Sequence, residues 1–183
     1  MISRVVPSDR KIRIAIVGCG RISKRHFDAI DAHADELELV SVCDSDPSML
    51  AAHEKKYKVP MYLQLNEMIE NEELDLVVLC TPSGLHARQA ELAAKHGINV
   101  ITEKPMATNW RDGLRMVKAC DDAGVRLFVV KQNRRNNTLR LLKQTIDKGR
   151  FGRIYMVNIN VFWTRPQEYY DSPKWRGTWE FDG

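Results

Sequence analysis

The feature that most constrains the fold is a largely apolar segment that leads directly into a glycine-rich turn. The apolar residues are Ile12, Ile14, Ala15, Ile16 and Val17, and the letters GCGRIS follow them at residues 18–23. Such a segment is typical of a strand that is buried on both faces of a sheet. The turn matches the pattern G-x-G-x-x-G except at its last position, where Ser23 replaces glycine. This unit predicts a strand, a tight turn and a helix in immediate succession.

The same alternation of strand and helix continues along most of the chain. It predicts a Rossmann-type α/β fold, a doubly wound parallel sheet with helices on both faces. After it we expect a longer strand at residues 152–163 with partial alternation, and a tail at residues 164–183 without a strong period. The other strands are predicted at residues 12–17, 37–43, 59–62, 74–80, 98–101 and 125–130, and the helices at residues 21–34, 47–57, 65–70, 85–95, 109–123 and 138–148.

A change of pattern near Lys131 predicts a boundary between two domains. We assign residues 1–131 to the Rossmann domain and residues 132–183 to the start of a second α+β domain. One helix and one strand cannot build a core of their own, so this second domain is predicted to be incomplete.

Composition narrows the class of protein. No apolar run approaches the roughly 20 residues that span a bilayer, and the first ten residues lack the apolar core of a secretory signal. The four cysteines are far apart and form no CxxC pair, which favours reduced thiols in the cytoplasm over disulfides or a metal site. They are read as packing residues: Cys19, Cys43, Cys80 and Cys120.

The formal charge of +4 is unevenly distributed. Eight basic residues and a single acidic one, Asp147, lie between Lys131 and Arg153. Such a run is compatible with a solvated helix face or with an anionic ligand. Nucleic acid is the least favoured partner, because no recognised nucleic-acid motif accompanies the charge.

The glycine-rich turn is a candidate site for a dinucleotide. Glycines allow the backbone to approach a pyrophosphate, which the helix amino terminus then stabilises. Asp44 ends the next predicted strand, at the spacing of the carboxylate that binds the adenosine ribose. Because Asp46 follows closely, a 2′-phosphate would meet two carboxylates, and NAD is favoured over NADP. The alternative is a tight turn for another phosphate; the residues proposed for the cofactor are Gly18, Cys19, Gly20, Arg21, Ile22 and Asp44.

A second candidate segment follows the predicted strand at residues 74–80. Thr81, Pro82 and Ser83 are expected to line the cofactor crevice, since strand carboxyl ends form it. His86 is expected either to contact the nicotinamide half or to be an ordinary histidine in the first turn of a surface helix. No chemistry is assigned to the remaining histidines, which are His26, His33, His53 and His96.

The candidate catalytic group is Lys104, in the triplet Glu103-Lys104-Pro105 at the end of a predicted strand. Oxidation of an alcohol needs a base for the hydroxyl proton, and a lysine serves when its pKa falls toward neutrality. Glu103 is expected to position the nicotinamide or to hold Lys104. A surface lysine paired with Glu103 is the alternative, and spacing alone leaves both interpretations open.

Taken in order, these motifs resemble the glucose–fructose oxidoreductase/inositol dehydrogenase (Gfo/Idh/MocA) family over nearly the whole chain. Within that family the later segments resemble the WlbA/WbpB-like enzymes. The general resemblance rests on VGCGRI at residues 17–22, CTPSGLH at 80–86 and EKP at 103–105, and the narrower one on KQNRRN at 131–136, FWTRPQEYY at 162–170 and WRGTW at 175–179.

The resemblance implies an NAD-dependent enzyme that oxidises the C3 hydroxyl of UDP-N-acetylglucosaminuronic acid in bacterial surface-polysaccharide (lipopolysaccharide) synthesis. It implies that Lys104 assists proton transfer and that Gln132 lies near the nicotinamide. It also implies a second domain with an open mixed sheet that covers the substrate and builds a homo-oligomer. A dehydrogenase of a simpler sugar or cyclitol and a non-catalytic NAD-binding module are the alternatives.

The implied substrate accounts for the basic and aromatic residues near the end of the chain. A UDP-sugar acid carries a pyrophosphate and a carboxylate, for which arginine is a natural partner. We therefore expect Arg165, Arg176, Trp163 and Tyr169 to bind substrate together with Lys104.

One departure from the family pattern is a missing histidine. The family places a second catalytic residue, a histidine, after the region that this chain covers, and no histidine follows His96. The expectation is an amino-terminal fragment of a longer enzyme, able to bind NAD and catalytically weak or inactive alone.

Overall fold

The computed structural model describes residues 9–171 and 175–183. Two short 3-10 turns, Ser83–Leu85 and Gln132–Arg135, accompany its strands and helices. The strands are β1 (Ile12–Val17), β2 (Leu37–Cys43), β3 (Met61–Tyr62), β4 (Leu76–Leu79), β5 (Asn99–Thr102) and β6 (Leu127–Val129). The helices are α1 (Ser23–Ala32), α2 (Pro47–Glu54), α3 (Leu65–Asn71), α4 (His86–Lys95), α5 (Trp110–Ala123), α6 (Asn137–Asp147) and α7 (Glu168–Asp171).

The strands form one parallel sheet in the order β3-β2-β1-β4-β5-β6. This order confirms the predicted doubly wound sheet. It reverses between β1 and β4, so the chain leaves these two neighbours toward opposite sides and opens a crevice at their carboxyl ends. The register places Val17 beside both Cys43 and Leu79, and Leu79 beside Thr102. The turns that follow four strands therefore meet at one edge.

Both faces of the sheet are packed against helices. On one face, Val77, Leu79 and Val100 contact a cluster that includes Met116 of α5 and three alanines of α4. Small alanine side chains let a helix approach the sheet closely. On the other face, Ile16 and its neighbours pack against α1 and α2. Each fully buried aliphatic side chain contributes about 1.5–3 kcal/mol, and these two layers hold the strand ends in place.

Several helix ends carry residues that suit a helix terminus. Gly97 and Gly124 follow α4 and α5 with φ of 73° and 67°, the left-handed conformation that suits a helix end. Asp46 and Asn109 accept hydrogen bonds from the backbone amides of Ser48 and Asp112 at the starts of α2 and α5. Within residues 9–171 and 175–183, no helix is long and apolar enough to cross a membrane.

The predicted strand at residues 152–163 is wrong for this structure. A strand needs a neighbour whose backbone groups pair with its own, and no described residue supplies one. The apolar side chains of this segment are accordingly exposed, among them Tyr155, Val157, Ile159, Val161 and Phe162. The other predicted elements lie where expected, with ends that shift by up to three residues, as at residue 54 instead of 57 for α2. The short helix α7 was not predicted.

Candidate active site

The turn between β1 and α1 is held tightly against β4. Gly18 has φ of +91°, and a Cβ there would lie 2.8 Å from the carbonyl carbon of Cys80. A Cβ at Gly20 would meet no atom within 4 Å, so this part of the turn is open to a ligand. Ser23 is buried, and its hydroxyl donates to the carbonyl of Gly20 over 2.7 Å. Serine at the last motif position therefore stabilises the turn.

Asp44 fixes this turn from the side of β2. One carboxylate oxygen accepts from the amide of Cys19 over 2.6 Å, and the other accepts from the amide of Asp46 over 2.9 Å. Each oxygen keeps a further lone pair, so the carboxylate can still accept from a ribose hydroxyl. Hydrogen bonds from the hydroxyl and amide of Ser48 lower the pKa of Asp46, which keeps a second negative charge nearby.

The loop after β4 supports the opposite side of the crevice. The hydroxyl of Thr81 donates to the side-chain oxygen of Gln89 over 2.5 Å, and Ser83 is buried. The amide of Gly84 donates to the carbonyl of Phe181 over 2.9 Å. A Cβ at Gly84 would lie 1.9 Å from the carbonyl oxygen of Glu180. Glu180 and Phe181 therefore pack directly on this loop.

His86 joins that loop to the Glu103-Lys104-Pro105 loop. Its Nδ1 lies 3.0 Å from the carbonyl oxygen of Pro105, and its Nε2 lies 2.9 Å from that of Thr81. The residue is 1% exposed, so His86 is not a surface group although it opens α4. Burial lowers its pKa, against the opposing effect of the two carbonyls. Contact between His86 and a nicotinamide stays a prediction.

Glu103 and Lys104 differ sharply in their surroundings. Glu103 is buried, with its amide donating to the carbonyl of Leu79 over 2.9 Å, whereas Lys104 is exposed at the edge of the sheet. Burial acts to raise the pKa of Glu103, but hydrogen bonds from His26 and the Lys104 amide outweigh it and lower that pKa. Among the described hydrogen bonds, the carboxylate thus engages the Lys104 backbone rather than its ammonium group.

His26 is a site residue that the sequence reasoning missed. Its Nε2 lies 2.9 Å from Oε1 of Glu103. The available signal was spacing: His26 follows the buried Ser23 by three residues, which places both near one face of α1. That spacing alone does not reveal the partner, because Glu103 lies far along the chain.

Besides Lys104, four residues were predicted to bind substrate, and these four lie close together. We name them the arginine–aromatic cluster: Trp163, Arg165, Tyr169 and Arg176. The guanidinium carbon of Arg165 lies 3.7 Å from the ring centre of Trp163 and 4.7 Å from that of Tyr169. The guanidinium carbon of Arg176 lies 4.0 Å from the Tyr169 ring, and its Nη1 donates to the Tyr169 carbonyl over 2.9 Å. The cluster combines two cations with two flat aromatic faces, a suitable surface for phosphates and a base.

The remaining predicted residues have less definite surroundings. Arg21 and Ile22 are exposed before α1, and Gln132 is exposed at the start of a 3-10 turn. The basic side chains between residues 131 and 153 are exposed, as a solvated face would be, and Lys143 pairs with Asp147.

The four cysteines are buried and free. Burial raises the pKa of the Cys19 and Cys43 thiols to about 12, which keeps both protonated and agrees with a packing role. Within the part of the chain that the structure describes, no group of three or more His, Cys, Asp or Glu side chains is arranged to hold a metal ion.

Comparison with known proteins places the chain in a family. Residues 12–131 match the GFO_IDH_MocA model, described as an oxidoreductase family with an NAD-binding Rossmann fold. The chain belongs to this family. The resemblance drawn from its motifs and the predicted Rossmann fold are confirmed.

Two solved structures of WlbA dehydrogenases, each in complex with NADH and UDP-GlcNAcA, are similar over most of the chain. The Bordetella pertussis enzyme is 60% identical with a TM-score of 0.93, over 95% of this chain and 53% of its own. The Chromobacterium violaceum enzyme is 57% identical with a TM-score of 0.96, over 100% of this chain and 53% of its own.

Curated relatives are more distant. The D-apiose dehydrogenase of Paraburkholderia graminis is 31% identical over 83% of this chain and 40% of its own length. The inositol 2-dehydrogenase of Rhizobium meliloti is 30% identical over 81% of this chain and 44% of its own length. The chain thus spans less than half the length of these two relatives.

The two glycines of the turn are expected to respond differently to alanine. Gly18→Ala should lower the free energy of unfolding by about 2–4 kcal/mol, because the new Cβ meets backbone atoms at a positive φ. Gly20→Ala should change it by less than about 0.5 kcal/mol, since its Cβ meets nothing. Urea unfolding followed by circular dichroism measures the free energy of unfolding of both variants. Equal losses of stability would contradict the conclusion that Gly18 is tightly packed and Gly20 is open.

Proposed function

We propose that this chain is the cofactor-binding part of an NAD-dependent oxidoreductase that oxidises the C3 hydroxyl of a UDP-N-acetylglucosaminuronic acid-type sugar nucleotide. The observation that carries the proposal is the 60% identity, over 95% of the chain, to a WlbA dehydrogenase in complex with NADH and UDP-GlcNAcA. The arginine–aromatic cluster supports it, since the cluster offers cations and aromatic faces for such a ligand.

The crevice at the switch point suits a dinucleotide. The open Gly20 lets backbone approach the pyrophosphate, and the amino terminus of α1 supplies a positive dipole end. Asp44 accepts from the adenosine ribose, and Asp46 adds a charge that opposes the 2′-phosphate of NADP. On the nicotinamide side we place Thr81, Pro82, Ser83, His86, Glu103 and Gln132.

Lys104 is the proposed base. Its exposed side chain lies beyond the carboxyl end of β5, beside the loops that line the crevice. As the C3 hydroxyl becomes a ketone, the hydroxyl proton passes to the amine of Lys104. NAD, when bound, would supply the acceptor for the hydride that leaves C3. Arg165 and Arg176 neutralise the pyrophosphate or the carboxylate of the substrate, while Trp163 and Tyr169 pack against its flat groups.

The proposal extends to the organisation of the protein. Residues 1–131 form the NAD-binding domain and residues 132–183 begin the substrate and oligomerisation domain; the family match that ends at residue 131 supports this division. We place the enzyme in the cytoplasm, as a homo-oligomer that serves bacterial surface-polysaccharide synthesis. A cyclitol dehydrogenase is the second candidate, because an inositol 2-dehydrogenase is 30% identical to this chain.

Titration calorimetry of the 183-residue chain tests the substrate class. With NAD present, UDP-N-acetylglucosaminuronic acid should bind and myo-inositol should not. Arg176→Met should weaken binding of the sugar nucleotide by about tenfold, because one charge-assisted hydrogen bond is lost. Arg140→Met removes an equal charge from the exposed basic run and should leave binding unchanged. Binding of myo-inositol alone would favour the second candidate, and equal effects of the two variants would reject the cluster as the site.

The cofactor preference depends on Asp44. Asp44→Ala should weaken NAD binding by about tenfold or more, because a hydrogen bond to a charged group is lost, and should narrow the preference for NAD over NADP. Calorimetric titration with both cofactors measures the two affinities. Asp28→Ala, which removes an exposed carboxylate from α1, is the matched control. An unchanged ratio of affinities in Asp44→Ala would exclude the ribose contact.

The role of Lys104 is tested in the complete enzyme. Lys104→Met should abolish turnover, because the hydroxyl proton has no acceptor, and should leave NAD affinity within about threefold. NADH formation at 340 nm and NAD titration measure the two properties. Retained turnover would reject Lys104 as the base.

A further inference from the structure

His26 and Glu103 connect two parts of the crevice that lie far apart in sequence. His26 belongs to α1, the helix that begins at the glycine-rich turn, and Glu103 follows β5. Between β1 and β5 lies β4, so the 2.9 Å contact from Nε2 to Oε1 spans the switch point of the sheet. This bridge directly connects the proposed pyrophosphate helix to the proposed catalytic loop.

Both oxygens of the Glu103 carboxylate are engaged. His26 occupies Oε1, and the amide of Lys104 donates to Oε2 over 3.2 Å. The backbone amide of Glu103 donates to the Leu79 carbonyl, so the residue is fixed from three directions. Its side chain is 9% exposed and that of His26 is 17% exposed. A carboxylate buried to this extent is costly unless its oxygens are paired.

We propose that His26 is a positioning residue for the dehydrogenase reaction. It holds the Glu103 carboxylate in one orientation, and Glu103 in turn holds the backbone amide of Lys104. This inference rests on the proposed function, because the positioning role concerns the proposed dehydrogenase reaction. With both oxygens fixed, Glu103 presents its remaining lone pairs to a hydroxyl or amide of the nicotinamide half, and Lys104 starts from a defined backbone position.

The direction of the hydrogen bond follows from the chemistry of the pair. An ionised carboxylate only accepts hydrogen bonds, so Nε2 of His26 carries the proton. A neutral imidazole with its hydrogen on Nε2 satisfies this requirement. A side-chain amide at the right distance from the backbone can therefore replace the ring. Glutamine places its NH₂ group near the position of Nε2, whereas asparagine is too short to reach it.

The first measurement is amide hydrogen exchange of Lys104 by NMR in the 183-residue chain without cofactor. In His26→Ala the Glu103 carboxylate is free to turn, so exchange of the Lys104 amide should accelerate. The expected acceleration is about tenfold, which corresponds to the loss of a single weak hydrogen bond. His26→Gln should exchange like the wild type, and His26→Asn should exchange like His26→Ala. Unchanged exchange in His26→Ala overturns the inference without reference to any ligand.

The second measurement is NAD affinity of the same variants by calorimetry. His26→Ala and His26→Asn should lower the affinity for NAD by about tenfold, and the affinity of His26→Gln should remain within about threefold of the wild type. A purely structural pair would lower the melting temperature without this pattern of rescue. If His26→Gln binds as poorly as His26→Ala, the positioning role is wrong. If the wild type itself binds no NAD, the proposed function fails, while the exchange data still decide the His26–Glu103 bridge.

Discussion

The structure depends on the close approach of the β1–α1 turn to the end of β4. With φ of +91° and no space for a Cβ, Gly18 lets the chain turn within van der Waals distance of Cys80. The approach brings the amino terminus of α1 to the point where the strand order reverses. Asp44 secures the turn from β2 and His26 secures α1 to the end of β5, so the crevice is fixed from both sides.

Local patterns were sufficient to predict the sheet. Buried parallel strands are recognisable as apolar runs, and glycines such as Gly97 and Gly124 mark helix ends through a backbone conformation that other residues avoid. The same reasoning failed for residues 152–163, because alternation shows only that a segment is suited to pairing. Pairing itself requires a partner strand, and none lies in the described part of the chain.

Candidate site residues could be proposed from the sequence where a motif carries its own chemistry, as at Gly18, Asp44 and Lys104. It was not predictable where the chemistry arises from a contact between distant segments. His26 and Glu103 are 77 positions apart, and only the fold brings them together. His86 is similar: its position at the start of α4 resembles a surface site, yet the ring is enclosed by the carbonyls of Thr81 and Pro105.

Two carboxylates of the crevice serve the protein before they serve a ligand. Asp44 and Glu103 each accept a hydrogen bond from a backbone amide of the loop beside them, and each retains lone pairs that can accept further hydrogen bonds. Loss of either side chain therefore loosens a loop and, under the proposed function, removes a ligand contact at the same time. A variant that removes only an internal donor, as alanine does at position 26, leaves the Glu103 side chain in place and so separates these two effects. The separation matters because a carboxylate that is already oriented loses no conformational freedom when a ligand binds. The free energy of binding is correspondingly more favourable.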